Sequence, residues 1–386
     1  MKTYTITATC TFGLESVLKR EIQRLGYEIA ASSDGAVSIE GTIQDVDRLN
    51  LWLRTANRVL LPVAEFSALT FDELFDGTNA VHWEEFLPKD AKFNVAKISC
   101  VKSNLFSKSD CQSIIKKAAV ERLKQVHGLN RMPESGADFP LFATIKNNRV
   151  SLSINTSGES LHRRGYRLSA GEAPIKETLA AGIIYLSGYD GSQQFADIMC
   201  GSGTFVTEAA MMASHTPPGL HRKFAFEAWG WHDDVQSLLL REEAKAAIAA
   251  PELRLLGSDI DAGVLKSARD NAKRAGVEEY VAFQKLDFRE FRSRKKYGIL
   301  IVNPPYGERI GEKKETERIY RDLKTVYDEL DSWRLFVLSG NEDFQKQFGM
   351  KATKNRKLFN GNMLTYLYQY FPERAPRERE KEQRED

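Results

Sequence analysis

The sequence has few cysteines, little net charge and no long apolar run, and each scarcity excludes a class of protein. Its four cysteines, Cys10, Cys100, Cys111 and Cys200, are separated by 90, 11 and 89 positions, which matches neither a disulfide framework nor paired zinc ligands. No apolar run approaches the roughly 20 residues needed to cross a bilayer, and the first residues lack a charged leader followed by an apolar stretch. We therefore expect a cytoplasmic protein without a metal site.

The net charge of +2 conceals an uneven distribution along the 386 residues. Residues 89–167 contain 15 lysines and arginines against 6 acidic residues, so the rest of the chain carries a net charge of −7. A basic block of this kind is typical of a nucleic-acid-binding surface, although a solvated lysine-rich face gives the same pattern. Both interpretations stay open on charge alone.

Three patterned regions follow one another, as the length of the chain predicts. Residues 1–57 and 58–155 each alternate strands with amphipathic helices, which is typical of small α+β units. After the segment 156–173, long helices alternate with short, nearly all-apolar strands over 174–372, which predicts a doubly wound α/β sheet covered on both faces. Residues 373–386 are almost entirely charged and predict a frayed tail.

In an open α/β sheet, ligands bind where parallel strands end, so the strand-to-helix corners of the third region are the candidate functional positions. The first corner, residues 197–205, reads DIMCGSGTF. Asp197 ends a strand, and Gly201 and Gly203 let the backbone approach a ligand before the next helix begins. The corner lacks the third glycine of a dinucleotide fingerprint and the lysine of a phosphate loop, which weighs against hydride transfer and ATP hydrolysis.

Two further corners carry aspartates that suit a nucleoside. Asp259 follows the next strand, where a carboxylate can accept two hydrogen bonds from ribose hydroxyls. Asp287 can accept one from an adenine amino group, with Ile260 and Phe288 on the two faces of the ring. Each aspartate alone is explained as well by a cap or a turn, whereas three in register on successive strands favour a binding site.

The fourth corner, NPPYG at residues 303–307, follows the apolar strand GILIV. Pro304 and Pro305 rigidify the loop and direct the Asn303 amide and the Pro304 carbonyl outward, and both groups can accept an N–H from the exocyclic amine of a base. Tyr306 offers a flat face on which an extruded base can stack. The alternative is a proline-rich turn with a surface tyrosine.

Together with LHRRGYR, APIKETLAA and PPGLHRKFAFEAW, these corners resemble the motifs of class I S-adenosylmethionine-dependent methyltransferases that methylate amines. Within that class, the chain resembles the THUMP-domain RNA methyltransferases of the RlmL type, which act on guanine N2 of large-subunit ribosomal RNA. The resemblance implies a Rossmann-like class I methyltransferase domain at 174–372. It also implies a ferredoxin-like module at 1–57, a THUMP RNA-binding core at 58–155 and a hinge at 156–173.

The resemblance also implies roles for individual residues. The catalytic set, which would hold the target amine, is Asn303, Pro304, Pro305 and Tyr306. The residues that would bind S-adenosylmethionine are Asp197, Cys200, Gly201, Gly203 and Thr204 at its methionine part, Asp259 at its ribose, and Ile260, Asp287 and Phe288 at its adenine. Glu177 or Thr178, on the helix IKETLAA, would add further cofactor contacts.

RNA is the expected partner, and five basic residues are the candidates for contacting it: Lys97, Lys102, Lys116, Arg163 and Arg164. The two arginines lie in LHRRGYR, where they would either contact phosphate or fix the hinge between domains. These two roles stay open.

The expected function is therefore transfer of a methyl group from S-adenosylmethionine to the N2 amine of a guanine in 23S ribosomal RNA. Larger relatives continue into a second methyltransferase domain for a different base, so only the first activity is expected here. Three alternatives remain: guanine-N2 methylation of tRNA, adenine-N6 methylation of nucleic acid, and a non-enzymatic RNA-binding assembly factor. No histidine is assigned a catalytic role, because the amine needs positioning rather than a strong base.

Overall fold

The computed structural model describes residues 2–167, 175–306 and 313–372, so the predicted tail and residues 168–173 of the predicted hinge lie outside it. The chain forms two compact units. The first contains the residues up to Cys10, Leu18–Leu161 and Gly219–Glu243, and the second contains Thr11–Val17, His162–Pro218 and the residues from Ala244 onward. Within the described ranges, no helix combines the length and apolar character that crossing a bilayer requires.

The first unit is built on one seven-stranded sheet of order β2-β3-β1-β4-β7-β6-β5. The elements up to residue 155 are β1 (Tyr4–Cys10), α1 (Glu15–Arg24), β2 (Ala31–Ser33), β3 (Ala36–Gly41), α2 (Ile43–Trp52), β4 (Ala56–Ser67), α3 (Phe71–Asn79), β5 (Lys92–Val101), α4 (Lys108–His127), β6 (Asp138–Lys146) and β7 (Arg149–Asn155). β4 pairs antiparallel with β1 on one side and with β7 on the other. The two α+β regions expected from the sequence therefore share a sheet, and the boundary expected at residues 57 and 58 falls inside the strand that joins them.

A segment from the second half of the sequence, Gly219–Glu243, also belongs to the first unit. Its Trp229 stacks on Phe139 with ring centroids 4.5 Å apart and donates its indole N–H to the Asp138 carbonyl at 2.9 Å. The expected domain limits placed this segment in the 174–372 domain, whereas in the structure its contacts group it with the first unit. The physical reason is burial, because only 3% of Trp229 is exposed once it packs on β6.

The second unit is built on a seven-stranded sheet of order β10-β9-β8-β11-β12-β14-β13. The elements from residue 175 onward are α5 (Glu177–Ser187), β8 (Phe195–Asp197), α6 (Thr204–Ala213), α7 (Asp234–Ala246), β9 (Leu255–Asp259), α8 (Ala262–Arg274), β10 (Val281–Lys285), β11 (Ile299–Val302), α9 (Lys313–Asp328), β12 (Arg334–Ser339), α10 (Phe344–Phe348), β13 (Lys354–Asn360) and β14 (Met363–Tyr370). All of them belong to the second unit except most of α7, which belongs to the first. β8 to β12 are parallel, and β14 and β13 close one edge antiparallel. The predicted Rossmann-like doubly wound fold is confirmed.

Within the second sheet, burial explains both the strands that were predicted and the one that was not. Every residue of β11 is buried, which is why its sequence is a continuous apolar run. Aromatic contacts hold α9 and α10 in place. The Phe344 ring of α10 packs on Tyr320 of α9 and on Tyr368 of β14, with ring centroids 4.7 and 4.9 Å apart. β13 was not expected, because this edge strand buries only Leu358 and so lacks any alternation of apolar residues.

Candidate functional site

The order of the strands reverses between β8 and β11. In the loop after β8, the side chains of Asp197 and Cys200 are buried. Asp197 is 2% exposed, and its Oδ1 accepts the Met199 backbone N–H at 3.2 Å. The pKa of Asp197 is raised to about 8, mainly by burial and in smaller part by the nearby Asp259 carboxylate, against the opposing effect of that hydrogen bond. Burial also raises the pKa of the Cys200 thiol well above its ordinary value. Both side chains are therefore mainly protonated at neutral pH.

The two glycines of this corner have different tasks. Both have a left-handed backbone, with φ of +52° at Gly201 and +79° at Gly203. A Cβ on Gly203 would lie 3.0 Å from the Ala268 Cβ, so Gly203 allows close packing at the start of α6. A Cβ on Gly201 would meet no atom of the described residues within 4 Å. Gly201 therefore leaves open space beside the backbone, where a ligand can lie.

Asp259 at the end of β9 connects two corners. Its Oδ2 accepts the Gly201 N–H at 2.9 Å, and its Oδ1 accepts the Asp261 N–H at 3.0 Å. Each carboxylate oxygen retains a further acceptor position, so Asp259 can still receive ribose hydroxyls. Ile260 is 63% exposed, which makes its side chain available to a ligand.

The corner after β10 contains an ion pair that the sequence patterns did not reveal. Arg289 Nη1 contacts both Asp287 oxygens, at 3.2 and 3.0 Å, and Arg289 Nε contacts Asp322 Oδ2 at 2.6 Å. The guanidinium lies over the Phe288 ring, 4.8 Å from its centroid. Asp287 is thus a carboxylate held in place by an arginine, and any contact it makes with an adenine amine has to share the carboxylate with Arg289.

The loop after β11 is held by two tyrosine hydroxyls. Tyr306 donates its O–H to Asn303 Oδ1 at 2.6 Å, and Tyr320 of α9 donates its O–H to the Pro305 carbonyl at 2.9 Å. Pro304 is buried, whereas Asn303 is half-buried. An amide oxygen has two acceptor positions, so an incoming amine can share Asn303 Oδ1 with the tyrosine. Gly307, the last residue of the predicted motif, lies outside the described residues.

One cavity of about 370 Å³ joins all four corners, and Ile198 and Met199 line it from the first of them. Six residues singled out in the sequence contribute to its wall: Asp259, Ile260, Asp287, Phe288, Asn303 and Pro305. Its volume lies within the range typical of small-molecule sites. Carboxylate acceptors, an apolar wall and the open space beside Gly201 together fit a ligand with a nucleoside part. Arg289 and Glu315 also line the cavity and were not anticipated.

A buried ionic contact lies beside the first corner and was also missed. Arg167 Nη1 lies 3.4 Å from Glu177 Oε1, and Arg167 Nη2 donates to Thr204 Oγ1. Thr204 was expected to contact the cofactor, as was either Glu177 or Thr178, and Thr178 is fully buried. The arginine therefore connects the helix α5 to the start of α6. The only signal for it in the sequence is the charge of LHRRGYR.

The structure corrects the expectation that Arg164 contacts RNA. Its side chain is 2% exposed, and its Nε and Nη2 each lie 3.3 Å from an oxygen of the fully buried Glu208. Tyr166 donates its O–H to the same carboxylate at 3.1 Å. Of the two roles considered, this geometry supports the structural one. Its neighbour Arg163 is exposed, and its RNA contact stays a prediction.

The three lysines assigned to RNA lie in the first unit. Lys97 is exposed with its Nζ 5.9 Å from the Phe142 ring centroid, and Lys102 is exposed directly after β5. Lys116 pairs with Glu134 at 3.0 Å near the surface. Their contact with RNA also stays a prediction.

A doubly wound sheet with a nucleoside-sized cavity at its switch point defines a Rossmann-like nucleotide-binding fold. Comparison with known proteins gives the family. The family described as "RMKL-like, methyltransferase domain" matches residues 164–369. The RlmL ferredoxin-like domain matches 5–60, and the THUMP domain matches 68–155. The chain belongs to the RMKL-like methyltransferase family, and the resemblance stated from the motifs is confirmed.

Individual relatives agree with this assignment. "Putative RNA methyltransferase YpsC" of Bacillus subtilis (strain 168) is 41% identical over 99% of this chain and 100% of its own length. "Ribosomal RNA large subunit methyltransferase K/L" of Cellvibrio japonicus (strain Ueda107) is 35% identical over 94% of the chain, which spans only 50% of that relative. Relatives of the same K/L name from Marinobacter nauticus and Psychromonas ingrahamii are 34% and 35% identical, and the chain spans 54% and 49% of their lengths.

Solved structures show the same architecture. The "possible methylase" from Clostridium difficile 630 superposes with a TM-score of 0.94 at 40% identity, covering 97% of this chain and 100% of that one. SMU.472, solved in complex with SAH, has a TM-score of 0.90 at 38% identity with the same coverage. A "predicted N6-adenine-specific DNA methylase" from Listeria monocytogenes has a TM-score of 0.90 at 41% identity, covering 96% and 97% of the two chains.

Proposed function

We propose that this protein transfers a methyl group from S-adenosylmethionine to the N2 amine of a guanine in 23S ribosomal RNA, in the cytoplasm. It is an S-adenosylmethionine-dependent RNA methyltransferase, since its relatives are named for RNA or large-subunit ribosomal RNA and one neighbour binds SAH. The choice of guanine N2, and of 23S RNA over other RNAs, is the proposed part.

One observation carries the proposal. Asn303 and Pro305 of the loop after β11 line the same cavity as Asp259 and Asp287. The Asn303 amide and the two carboxylates that we propose bind the nucleoside therefore face one space, which is what transfer between a nucleoside cofactor and a base amine requires.

The hydrogen-bond acceptors of the loop after β11 would counter the weak nucleophilicity of the target amine. The lone pair of an exocyclic amine is delocalised into the base, which makes the nitrogen a poor nucleophile. When Asn303 Oδ1 and the Pro304 carbonyl each accept an N–H, they favour a more tetrahedral nitrogen and direct its lone pair towards the methyl group. The Tyr306 hydroxyl, 2.6 Å from Asn303 Oδ1, keeps the oxygen end of the amide at this position. No strong base is needed, because the proton becomes acidic once the new bond forms.

Residues in and beside the same cavity are the ones that we propose bind the cofactor. S-adenosylmethionine supplies an electrophilic sulfonium methyl group when it is bound. Asp259 would accept the ribose hydroxyls, and Ile260 and Phe288 would flank the adenine. Gly201 leaves space for the methionine part. The Arg167–Glu177 pair offers one charge of each sign near this corner, which matches a zwitterionic amino acid.

A second candidate is adenine-N6 methylation. The Listeria relative is named for that activity on DNA, and two acceptors on a loop suit either amine. The THUMP domain favours RNA over DNA in this chain, and tRNA is the competing RNA substrate because the loop interacts with the base alone.

The role of Asn303 is tested by Asn303→Ala, with Asn355→Ala on the exposed edge strand β13 as the matched control. We expect Asn303→Ala to lower turnover by about 10²–10³-fold, because one preorganised dipole is lost. Calorimetry should give unchanged S-adenosylmethionine affinity, and Asn355→Ala should behave as the wild type. Retained turnover in Asn303→Ala would contradict the proposed role. Absence of S-adenosylmethionine binding to the wild type would instead support an RNA-binding factor without catalysis.

A further inference from the structure

The first unit contains a second pocket that the methyl-transfer reaction does not use. It is a cavity of about 240 Å³ between α2 and the Gly219–Glu243 segment. Phe226 and Trp231 provide aromatic walls, and further ring contacts hold them in place. The centroid of Trp231 lies 4.8 Å from that of Trp229, and that of Phe226 lies 5.2 Å from the His232 ring. We call this cavity the acidic pocket for the charges described below.

One oxygen of a buried carboxyl group in this pocket lacks a hydrogen-bond donor among the described residues. Asp47 of α2 is 6% exposed and lines the cavity. Ser237 hydrogen-bonds to the carboxyl group, but its Oδ1 has no hydrogen-bond partner among the described residues. A buried polar atom without a partner is costly, so such an atom in a native structure points to a ligand that supplies the donor.

The charged groups near Asp47 do not donate a hydrogen bond to its Oδ1. Arg241 is engaged with Glu227 at 2.5 Å and with the Leu220 carbonyl at 3.0 Å. His232 Nε2 lies 3.4 Å from Asp234. Burial, outweighing the attraction of Arg241 and His232, raises the pKa of Asp47. A cationic donor entering the pocket would therefore find a carboxyl group with no cation committed to it.

The charges of the residues that line the pocket indicate the charge of the ligand that it would bind. Four carboxyl groups line the pocket, against one arginine and one histidine: Asp45, Asp47, Asp233 and Glu243, with Arg48 and His232. Acidic lining repels the phosphates of RNA and attracts a cation. Aromatic walls select a flat cation, because a guanidinium stacks on a ring while its edge donates to a carboxylate.

An apolar stripe on α7 continues from the pocket. Val235, Leu238 and Leu239 are spaced for one helix face and are 66%, 59% and 51% exposed. Leu239 also lines the pocket. A free cation such as a polyamine would leave this stripe uncovered, whereas a peptide chain carrying a basic side chain would cover both.

We propose that the acidic pocket binds an arginine side chain of a basic protein partner. The guanidinium donates to Asp47 Oδ1 and packs on the aromatic walls, and apolar residues of the same partner segment cover the α7 stripe. A nucleobase is the competing occupant, and the acidic lining weighs against it.

The test uses the full chain and a capped eight-residue peptide that carries one arginine and two leucines, with a second peptide that has citrulline in place of arginine. Citrulline keeps the shape of the side chain and removes its charge. Calorimetry should detect the arginine peptide binding to the wild type. The citrulline peptide, and the variant Asp47→Asn, should each weaken binding by at least about tenfold. Asp72→Asn, an exposed carboxylate on α3 outside the pocket, should have no effect.

A second measurement separates a binding role from a structural one. Without peptide, Asp47→Asn should melt at the wild-type temperature or above it, since the variant buries no uncompensated carboxyl group. Equal affinity for the two peptides, wild-type affinity in Asp47→Asn, or a lower melting temperature in that variant would overturn the proposal. Displacement of the peptide by oligouridylate would overturn it in favour of a nucleobase site.

Discussion

Replacing Arg164 by alanine should destabilise the second unit and leave the affinity of the folded protein for RNA unchanged. The side chains of Arg164 and Glu208 are 2% and 0% exposed, and their atoms meet at 3.3 Å. Removing Arg164 leaves the buried Glu208 carboxylate without its cationic partner, and the Tyr166 hydroxyl still donates a hydrogen bond to it. Breaking one side of a buried pair costs about 3–5 kcal/mol. For a unit of this size the melting temperature should fall by on the order of 10 °C.

Thermal unfolding followed by circular dichroism measures this loss, and a filter-binding assay with ribosomal RNA measures affinity. Arg163→Ala is the matched control, since Arg163 is the exposed neighbour and should change the free energy of unfolding by less than about 0.5 kcal/mol. The double variant Arg164→Met with Glu208→Leu should recover much of the stability, because no unpaired charge remains. An unchanged melting temperature with a large loss of RNA affinity in Arg164→Ala would refute this reasoning and restore Arg164 as a phosphate contact.

Three other predictions concern the methyl-transfer site. Alanine strains the left-handed backbone at both glycines, but Gly203→Ala should lower the melting temperature more than Gly201→Ala, because its Cβ also meets packed atoms, whereas Gly201→Ala should in addition weaken S-adenosylmethionine binding in calorimetry, because its Cβ enters open space. For Asp197, whose pKa is raised to about 8, the contribution to stability is full below the ordinary carboxyl pKa and is lost as the pH rises towards 8. Asp197→Asn should remove this decline when melting temperatures are compared between pH 5 and pH 8, and a parallel decline in the variant would contradict the assignment. Tyr306→Phe keeps the ring but loses the hydroxyl that orients Asn303, so turnover should fall by about five- to tenfold with unchanged cofactor affinity; wild-type turnover would show that the hydroxyl is dispensable.

The corners of the second sheet could be predicted because their signals are local. A buried parallel strand is an apolar run, and the residue that ends it stands at a known edge of the sheet. Asp259, Asp287 and Asn303 were therefore placed from the sequence, and they do line one cavity. The partners of these residues could not be predicted in the same way. The Arg289–Asp322 contact joins residues 33 positions apart, and no local pattern distinguishes Arg289 from any other surface arginine.

Long-range packing also explains what was missed in the first unit. The Gly219–Glu243 segment lies next to β8 and α6 in sequence but packs on β6, through a Trp229–Phe139 stack that spans 90 positions. The charge of LHRRGYR suggested RNA contact for both arginines, yet burial separates them, with Arg164 paired to Glu208 and Arg163 exposed. Composition identifies a basic region, whereas only the fold shows which of its residues reach solvent.

The proposed substrate and product can be identified by transferring labelled methyl groups from S-adenosylmethionine to unmodified ribosomal RNA, tRNA and DNA in parallel, and then digesting each product to nucleosides. We expect label in N2-methylguanosine from the large-subunit ribosomal RNA and in no other sample. Label in tRNA, or in N6-methyladenine from any sample, would contradict the proposed substrate, and no label in any sample would contradict the proposed reaction.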